Sequence, residues 1–292
     1  MVLKLLKEGH DVVVWNRSSQ AVEDLRMQIP GLKSAQTIKE LIEALEKPRV
    51  IWSMLPAGEA TETVLSEVEQ LVETDDIVID AGNSRYQDTE RYSQNFKQKG
   101  VKFLGIGVSG GIISVTEGYP QMVGGDKPAY DYVTPILDSL AKPHGGHEYF
   151  GEGGAGHFVK MVHNGIEYPI MQALGEGFGV LANSNYNFDL LKVAKLYQKG
   201  TLVSGFMLDR TVEVLESDPK LESIAGVIGS ASGEAAWTVE EAARLNQPAE
   251  SIQQAIDFRK RSETEKEVQE SFAAKMVGAL RIAFGGHPVK KK

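Results

Sequence analysis

Four polar residues with the chemistry of proton transfer recur at helical spacing in the middle of the chain. At positions i, i+3, i+4 and i+7 stand Lys160, His163, Asn164 and Glu167. At about 100° per residue these positions form one stripe of a helix. An amine and a carboxylate on one rigid face are suited to act as base and acid in a reaction. On spacing alone the pattern favours a solvated helix face with a His163–Glu167 pair, which stabilises a helix by only about 0.2–0.5 kcal/mol.

The amino-acid composition excludes several classes of protein and of functional site. The 292 residues are 42% hydrophobic and 24% charged, as in an ordinary soluble globular protein of one or two domains. The absence of cysteine excludes disulfides, thiolate metal sites and a cysteine nucleophile, and it fits a cytoplasmic location. A net charge of −9 argues against a nucleic-acid partner. No run approaches about 18 apolar residues, so no membrane partner is expected.

Short apolar strands alternate with amphipathic helices in the first half of the chain. Strands are predicted over 11–15, 49–55, 76–81 and 102–107, with a hairpin-like segment over 117–123. Helices are predicted over 1–9, 19–28, 37–46, 58–72, 86–99 and 127–141. The alternation predicts an α/β domain of residues 1–151, a Rossmann-like doubly wound parallel sheet with helices on both faces.

The pattern changes at the glycine-rich stretch 151–156. Beyond it the spacing of apolar residues is helical throughout, and it predicts helices over 154–184, 188–199, 204–217, 232–246, 250–262 and 266–284. We therefore expect residues 152–292 to form an all-α helical domain, with the first and longest helix carrying the polar stripe.

The turn after strand 11–15 carries the first candidate cofactor contacts. In a dinucleotide-binding fold the end of the second strand faces the adenosine ribose, where an acidic residue suits NAD. This chain has Asn16, Arg17 and Ser18 there. The Arg17 guanidinium offers a planar set of donors to a 2′-phosphate, which favours NADP, with NAD as the alternative. The competing interpretation is an exposed turn in which Ser18 caps the next helix.

The glycine fingerprint that normally holds a dinucleotide pyrophosphate does not precede strand 11–15. In the usual strand order 3-2-1-4-5-6 the strand before that fingerprint is central. The sheet is therefore expected to lack its first strand, leaving strand 11–15 separated from the strands that follow. Met1 is interpreted as an internal methionine of a longer protein, so the domain is expected to be N-terminally truncated.

Candidate substrate contacts follow two later strands. Asn83 stands in the turn after strand 76–81, and Ser109, Gly110 and Gly111 follow strand 102–107. Open α/β sheets bind ligands at the carboxyl ends of their strands. The Ser109 hydroxyl and the amides of the two glycines suit a carboxylate, although two ordinary glycine turns give the same sequence. In the helical region Arg259, Arg281 and His287 are further candidates for binding an anion, unless the arginines form surface salt bridges.

Taken together, these stretches resemble one family, 6-phosphogluconate dehydrogenase (decarboxylating), in its compact bacterial form. The resembling segments are Asn16–Ser18, Met54–Gly58, Asp80–Ser84, Gly107–Gly111, Gly154–Tyr168 and Arg281–His287. The resemblance implies NADP-dependent oxidative decarboxylation of 6-phosphogluconate to ribulose 5-phosphate and CO₂, in the pentose phosphate pathway and gluconate utilization. It implies no metal. It also implies a homodimer or homotetramer, because in this family the segment of residues 281–287 reaches into a neighbouring subunit's site.

The resemblance also implies a role for each matching position. Lys160 would be the general base, with a pKa well below its solution value of about 10.4, and Glu167 the acid that protonates C1 of the enediol. The substrate's carboxylate and hydroxyls would be held by Asn83, Ser109, Gly110, Gly111, His163 and Asn164. Its phosphate would be held by Tyr168, Arg259, Arg281 and His287. The cofactor would be held by Asn16, Arg17, Ser18, Leu55, Ala57 and Asn83.

Two departures from the family pattern leave alternatives open. The stretch 112–116 is apolar where the long form of the family has acidic residues, and Pro56 replaces a lysine near the cofactor. One alternative is a related β-hydroxyacid dehydrogenase for a small unphosphorylated acid, which needs no phosphate cluster. Another is an inactive, truncated dimerisation module with an impaired cofactor domain.

Overall fold

The computed structural model describes residues 1–229 and 233–286, which fall into two compact units, Met1–Lys160 and Met161–Lys292. Each unit is described by itself. Among the described residues, none of the helices has the length and apolarity that crossing a lipid bilayer requires.

The first unit alternates strands and helices. Its strands are β1 Val13–Val14, β2 Lys33–Ser34, β3 Val50–Ser53, β4 Ile77–Asp80, β5 Lys102–Val108, β6 Gln121–Gly125 and β7 His147–Tyr149. Its helices are α1 Val2–Lys7, α2 Ser19–Gln28, α3 Ile38–Glu43, α4 Glu59–Leu71, α5 Tyr86–Gln98, α6 Ser114–Glu117 and α7 Lys127–Ala141, with a 3₁₀ turn over Gly111–Ile113. The predicted fold class, a parallel-dominated sheet with surrounding helices, is confirmed.

Strands β3 to β7 form one sheet in the order β3-β4-β5-β6-β7, and β1 pairs with β2 in a separate two-stranded sheet. All pairings are parallel except β5–β6, which is antiparallel. The expected separation of the 11–15 strand from the strands predicted after it is confirmed for β3 to β7, whereas the unpredicted β2 pairs with it. The antiparallel β5–β6 pair departs from the otherwise parallel sheet, because the short helical connection 109–120 returns the chain beside β5 in the opposite direction. The hairpin-like segment 117–123 is instead the end of α6 and the start of β6.

Side chains on the two faces of the five-stranded sheet pack against different helices. Val78 and Phe103 lie in a buried cluster with residues of α3, α4 and α5. Ile79 and Leu104, their neighbours along the strands, lie in a second cluster with residues of α7. Successive side chains of a strand point to opposite faces, so helices cover both faces of the sheet, as a doubly wound fold requires.

Helix α8, Ala155–Ala182, begins in the first unit and continues into the second. The second unit adds α9 Leu190–Tyr197, α10 Phe206–Ser217, α11 Glu234–Arg244, α12 Glu250–Thr264, α13 Lys266–Glu270 and α14 Phe272–Gly285. No strand occurs among its described residues, so the expected helical C-terminal region is confirmed.

The single helix predicted over 266–284 is two helices. Ser271 has extended backbone (φ −65°, ψ 144°), and its side chain accepts a hydrogen bond from the Ala274 amide. A side chain that caps an N-terminus in this way starts a new helix, so the apolar periodicity continued across a break that it could not reveal. Two strands also escaped prediction, β2 and β7, because two or three residues are too few to show an alternating pattern.

Candidate active site

Two loops with predicted site residues meet at the carboxyl edge of the sheet. A Cβ atom on Gly82, after β4, would lie 2.4 Å from the carbonyl oxygen of Leu55, after β3, so only glycine permits this approach. The buried Asp80 carboxylate shapes the turn: it accepts hydrogen bonds from the Gly82 amide (3.1 Å) and the Ser84 hydroxyl (2.6 Å). Asn83, between these two anchors, is exposed at the edge. Ala57 is also exposed there, and Leu55 is half-buried.

The loop after β5 has the conformation that an anion site needs. Gly110 and Gly111 both adopt positive φ, +94° and +56°. Among the described residues neither amide donates a backbone hydrogen bond, whereas the Ser109 amide donates to the Pro120 carbonyl at 2.9 Å. Ser114 fixes the loop by donating its hydroxyl to the Ser109 carbonyl at 3.1 Å. The two glycine amides thus remain as donors at the carboxyl end of β5, beside a half-buried Ser109.

The first turns of α8 lie directly on the sheet, because glycines of β5 and β6 leave room for them. A Cβ on Gly156 would lie 2.4 Å from the carbonyl oxygens of Gly105 and Met122. A Cβ on Gly107 would lie 2.2 Å from the Cβ of Lys160. Lys160 is therefore packed against bare strand backbone and is only 5% exposed. For this residue the interpretation as a solvated helix face is wrong.

The segment before α8, Gly151-Glu152-Gly153-Gly154-Ala155-Gly156, has the spacing G-x-G-x-x-G between a strand and a helix. Its glycines serve packing within the protein. The Gly154 amide donates to the Glu90 carboxylate at 3.0 Å, and a Cβ on Gly153 would lie 2.6 Å from the same carboxylate. A side-chain carboxylate therefore lies where a dinucleotide phosphate would have to bind, and this match to the fingerprint does not indicate a phosphate site.

In the second unit, the next residues of the polar stripe contact one another. The Nδ1 atom of His163 lies 2.9 Å from the Asn164 Oδ1 and 3.9 Å from the Glu167 Oε2. The Glu167 side chain is 17% exposed and that of His163 is 38% exposed. The predicted i, i+4 pair is present, and it is partly withdrawn from solvent.

A buried guanidinium stacks on an aromatic ring in the same unit. Arg259 is 2% exposed, and its guanidinium carbon lies 3.3 Å from the centroid of the Tyr168 ring. Its Nη2 atom is buried without a hydrogen-bond partner among the described residues. Such a buried donor is costly to leave unsatisfied, by about 1–3 kcal/mol, so this position demands a partner. The expectation that Arg259 forms a surface salt bridge is wrong.

Two positive charges share this part of the second unit. Burial is the main cause that lowers the pKa of Arg259 to about 10; the Arg281 charge acts in the same direction, and Tyr168 and Glu167 oppose it. Burial also lowers the pKa of the half-buried Arg281. Both side chains remain cationic at neutral pH. The placement of the segment of residues 281–287 in a neighbouring subunit's site stays a prediction. His287 lies outside the described residues.

The turn after β1 presents the remaining predicted cofactor residues to solvent. Asn16, Arg17 and Ser18 are all exposed, and the Asn16 side-chain amide donates to the Ser18 carbonyl at 3.1 Å. Ser18 occupies the N-cap position of α2, but its side chain makes no capping hydrogen bond. Helix capping therefore does not account for its hydroxyl.

One group of residues that holds the site together escaped the sequence analysis. Tyr86, Thr89 and Glu90 lie at i, i+3 and i+4 on α5, and each contacts the start of α8: Phe158, His157 and Gly154 respectively. The signal was the helical spacing of three polar residues in the predicted helix 86–99. The spacing could not be interpreted from the sequence, because the segment that these residues contact at the start of α8 is distant along the chain.

Comparison with known proteins places this site in a family. Residues 1–154 match the NAD binding domain of 6-phosphogluconate dehydrogenase, and residues 156–290 match the 6-phosphogluconate dehydrogenase C-terminal domain. The protein YqeC of Bacillus subtilis is 38% identical over 99% of this chain and 94% of its own length. An NAD(+)-dependent, decarboxylating 6-phosphogluconate dehydrogenase of Haloferax volcanii is 35% identical over 100% of this chain and 95% of its own.

A solved structure agrees with these relatives. The 6-phosphogluconate dehydrogenase of Plasmodium falciparum, determined apo and in complex with its cofactor NADP+ and its substrate 6-phosphogluconate, superimposes with a TM-score of 0.80 at 32% identity. The match covers 89% of this chain and 58% of that longer one. On its sequence and its fold, the chain belongs to the 6-phosphogluconate dehydrogenase family.

Proposed function

We propose that this protein catalyses the NADP-linked oxidative decarboxylation of 6-phosphogluconate to ribulose 5-phosphate and CO₂. The observation that carries the proposal is the buried Arg259 guanidinium, stacked on Tyr168 with one nitrogen lacking a partner. A fork of donors on a fixed, desolvated cation is suited to a phosphate group. A dehydrogenase of this family that acted on an unphosphorylated acid would have no use for this costly arrangement.

Lys160 acts as the general base in this proposal. Its amine is buried, and in the neutral form it would accept a proton from the substrate's 3-hydroxyl. Loss of that proton and of a hydride from C3 gives a β-keto acid, which loses CO₂ because its carbonyl accepts the electrons of the breaking C1–C2 bond. The ammonium of Lys160 then donates its proton to the carbonyl oxygen, so no metal is needed to polarise it.

Glu167 completes the reaction by protonating C1 of the resulting enediol. The same helix, α8, carries both Lys160 and Glu167. His163 and Asn164, together with Asn83, Ser109, Gly110 and Gly111, hold the carboxylate and hydroxyls. Tyr168, Arg259, Arg281 and His287 hold the phosphate.

The adenosine end of NADP fits the turn of residues 16–18, where the exposed Arg17 and the uncommitted Ser18 hydroxyl offer donors for a 2′-phosphate. Leu55 and Ala57, which follow β3, and Asn83, which follows β4, would also contact the cofactor. When bound, the nicotinamide supplies the acceptor for the hydride from C3. The related Haloferax enzyme is named for NAD(+), so NAD is the alternative cofactor that the assay below must include.

The test is a comparison of initial rates with 6-phosphogluconate and with 3-hydroxyisobutyrate, an unphosphorylated acid, each with NADP and with NAD. We expect turnover of 6-phosphogluconate, preferably with NADP, with one CO₂ released per reduced cofactor. Equal kcat/KM for the two acids would overturn the phosphate assignment. No turnover of either would favour the inactive dimerisation module.

Two variants test the roles on α8. Lys160→Met should abolish hydride transfer while leaving the Kd for 6-phosphogluconate within about tenfold, because a base acts in the transition state. Glu167→Gln should be impaired mainly after hydride transfer, so a first turnover of reduced cofactor should remain visible in a rapid-mixing experiment. Unchanged turnover in either variant contradicts its assignment.

We also propose that the protein acts as a homodimer or homotetramer. On α8 the apolar residues Ile166, Ile170 and Val180 are 52%, 45% and 73% exposed in the single chain. Together with Ala173 and Gly177, which lie between them, these residues are spaced by alternately four and three positions. This spacing aligns all five on one face of the helix. Light scattering of the purified protein should give at least twice the mass of 31.9 kDa. Ile170→Glu should lower it; a monomeric mass for the unmodified protein would exclude the assembly.

A further inference from the structure

A buried polar pair with no role in the proposed chemistry lies one helical turn before Lys160. The Thr89 hydroxyl on α5 and the Nδ1 atom of His157 on α8 share a hydrogen bond of 2.7 Å. Thr89 is 0% exposed and His157 is 1% exposed. Two polar groups withdrawn from water require a structural reason, because their burial is costly unless the bond between them is retained.

The pair and Lys160 lie over neighbouring positions of one strand. A Cβ on Gly105 would lie 2.4 Å from the Thr89 methyl group and 3.2 Å from the His157 Nδ1. A Cβ on Gly107, two residues along β5, would lie 2.2 Å from the Cβ of Lys160. His157 and Lys160 are three residues apart on α8, so successive turns of one helix face cover successive glycines on one face of the strand.

A glycine surface gives a helix close contact but little to hold its position. Helices are normally fixed in rotation and height by side-chain ridges that fit into grooves, and bare backbone offers no ridges. A directional hydrogen bond adds such a constraint to the Tyr86–Phe158 and Glu90–Gly154 contacts, since it weakens steeply when its angle or length changes. The Thr89–His157 bond provides such a constraint three residues before Lys160 on α8.

We infer that Thr89 and His157 are positioning residues, whose hydrogen bond fixes the rotation and height of the first turns of α8 and thereby the position of the Lys160 amine. The inference rests on the proposed function only in taking Lys160 as the base. The effect expected on catalysis is large, because a displacement of about 1 Å in a reacting group can lower a rate by about 100-fold.

The test compares two substitutions at Thr89 with one elsewhere. Thr89→Val removes the hydroxyl at nearly constant volume, and Thr89→Ser retains it. Thr134→Val is the matched control, because the Thr134 hydroxyl donates to the Tyr130 carbonyl within α7, away from α8. We expect Thr89→Val to lower kcat by about 10- to 100-fold with KM for 6-phosphogluconate within about threefold, and Thr89→Ser to restore kcat to within about twofold. Equal kcat in Thr89→Val and Thr134→Val, at temperatures where both are folded, overturns the inference.

Hydrogen exchange provides a readout that does not depend on the substrate. Amides of residues 157–163 should exchange faster in Thr89→Val, and at the original rate in Thr89→Ser and Thr134→Val; unchanged exchange in Thr89→Val also overturns the inference. If the unmodified protein does not turn over 6-phosphogluconate, the proposed function fails, while the exchange rates still decide whether the pair holds the helix. Should Thr89→Val not fold, Thr89→Ala, which removes the hydroxyl and adds no bulk, carries the same comparison.

Discussion

The two units hold their candidate site residues by different physical means. In the first unit, glycines allow neighbouring segments to approach closely. Gly82 lies against the Leu55 carbonyl, Gly156 lies against strand carbonyls of the sheet, and the Lys160 side chain lies against Gly107. In the second unit, the candidate residues are large side chains from separate helices, and the buried Arg259 stacks on Tyr168.

This difference determines which substitutions each unit tolerates. A surface of glycines is complementary to whatever lies on it only while no side chain is added, so a single methyl group is disruptive there. A buried cation is sensitive instead to the loss of charge or of donors, since its neighbours are arranged around that charge. The first unit should therefore respond mainly to changes of volume and the second to changes of charge.

The largest effect is expected from adding a methyl group under the base. Gly107→Ala should lower kcat by about 100-fold or more, because the new Cβ would overlap the Lys160 side chain and displace it. The melting temperature should fall as well, by the equivalent of about 1–3 kcal/mol of overpacking. Gly146→Ala is the matched control in the same unit, since a Cβ at Gly146 meets no atom within 4 Å. Similar kcat values for the two variants would show that the glycine surface does not position Lys160.

Removing the buried charge from the second unit should have the next largest effect. Arg259→Met should raise KM for 6-phosphogluconate by about 10- to 100-fold, because a hydrogen bond to a charged group contributes about 1.5–3 kcal/mol. The kcat value should change much less. Arg261→Met, on the exposed side of the same helix and paired with Glu265, is the control and should leave KM unchanged. A higher KM for Arg261→Met than for Arg259→Met would reject the phosphate cluster.

The turn of residues 16–18, the candidate cofactor site, belongs to the first unit, but its side chains are exposed. A substitution there tests whether any part of the first unit responds to a change of charge rather than of volume. Arg17→Ala should reduce kcat/KM for NADP by up to about fivefold relative to NAD, since an exposed charge pair contributes about 1 kcal/mol or less. Glu23, on the next helix, is paired with Arg26, and Arg26→Ala serves as the control. An unchanged ratio of NADP to NAD in Arg17→Ala would remove the basis for the NADP assignment.

The smallest effect is expected at alkaline pH, where the two units should respond in opposite directions. Burial raises the pKa of Tyr92 from 10.0 to about 12, and it also raises the pKa values of Tyr119, Tyr130 and Tyr149, all in the first unit. A tyrosine whose pKa is raised on folding stabilises the protein below its unfolded pKa, and that contribution is lost as the pH rises from 10 towards 12.

The arginines of the second unit behave in the opposite way. Because burial lowers the pKa of Arg259 from 12.5 to about 10, the cost of burying its charge diminishes above pH 10 and the unit gains stability. A variant that retains only Trp52, in the first unit, should therefore lose its folded fluorescence at lower pH than one that retains only Trp237, in the second. Simultaneous transitions would show that these groups do not control alkaline unfolding.

Much of the fold could be predicted from the sequence, since long amphipathic segments reveal their periodicity locally. The strands β3, β4 and β5 were found at nearly their observed positions, as was every helix of ten residues or more except α14, which was merged with α13. The features that were not predicted are either short strands or depend on how other parts of the chain fold. Strands β2 and β7 hold too few residues to show alternation, and the antiparallel direction of β6 depends on how the preceding loop closes.

For the site, residue types and spacing identified the candidate chemistry but not how it is held. The burial of Lys160 and Arg259 could not be predicted, because an isolated helix exposes both. The segment 151–156 matches a phosphate fingerprint in spacing, yet the Gly154 amide bonds to Glu90, 64 residues earlier in the chain. Such a contact is invisible to any local pattern.

By itself the sequence determined which residues share a helix face, which loops follow strands and which charges the chain can supply, because these depend on local periodicity and composition. Tertiary structure alone decided which polar groups leave water and which glycines are pressed against a neighbour. Those outcomes depend on segments that are distant along the chain and meet only in the folded protein. The stripe on α8 illustrates both: its spacing was evident at once, but only the glycines of β5 show that Lys160 is buried.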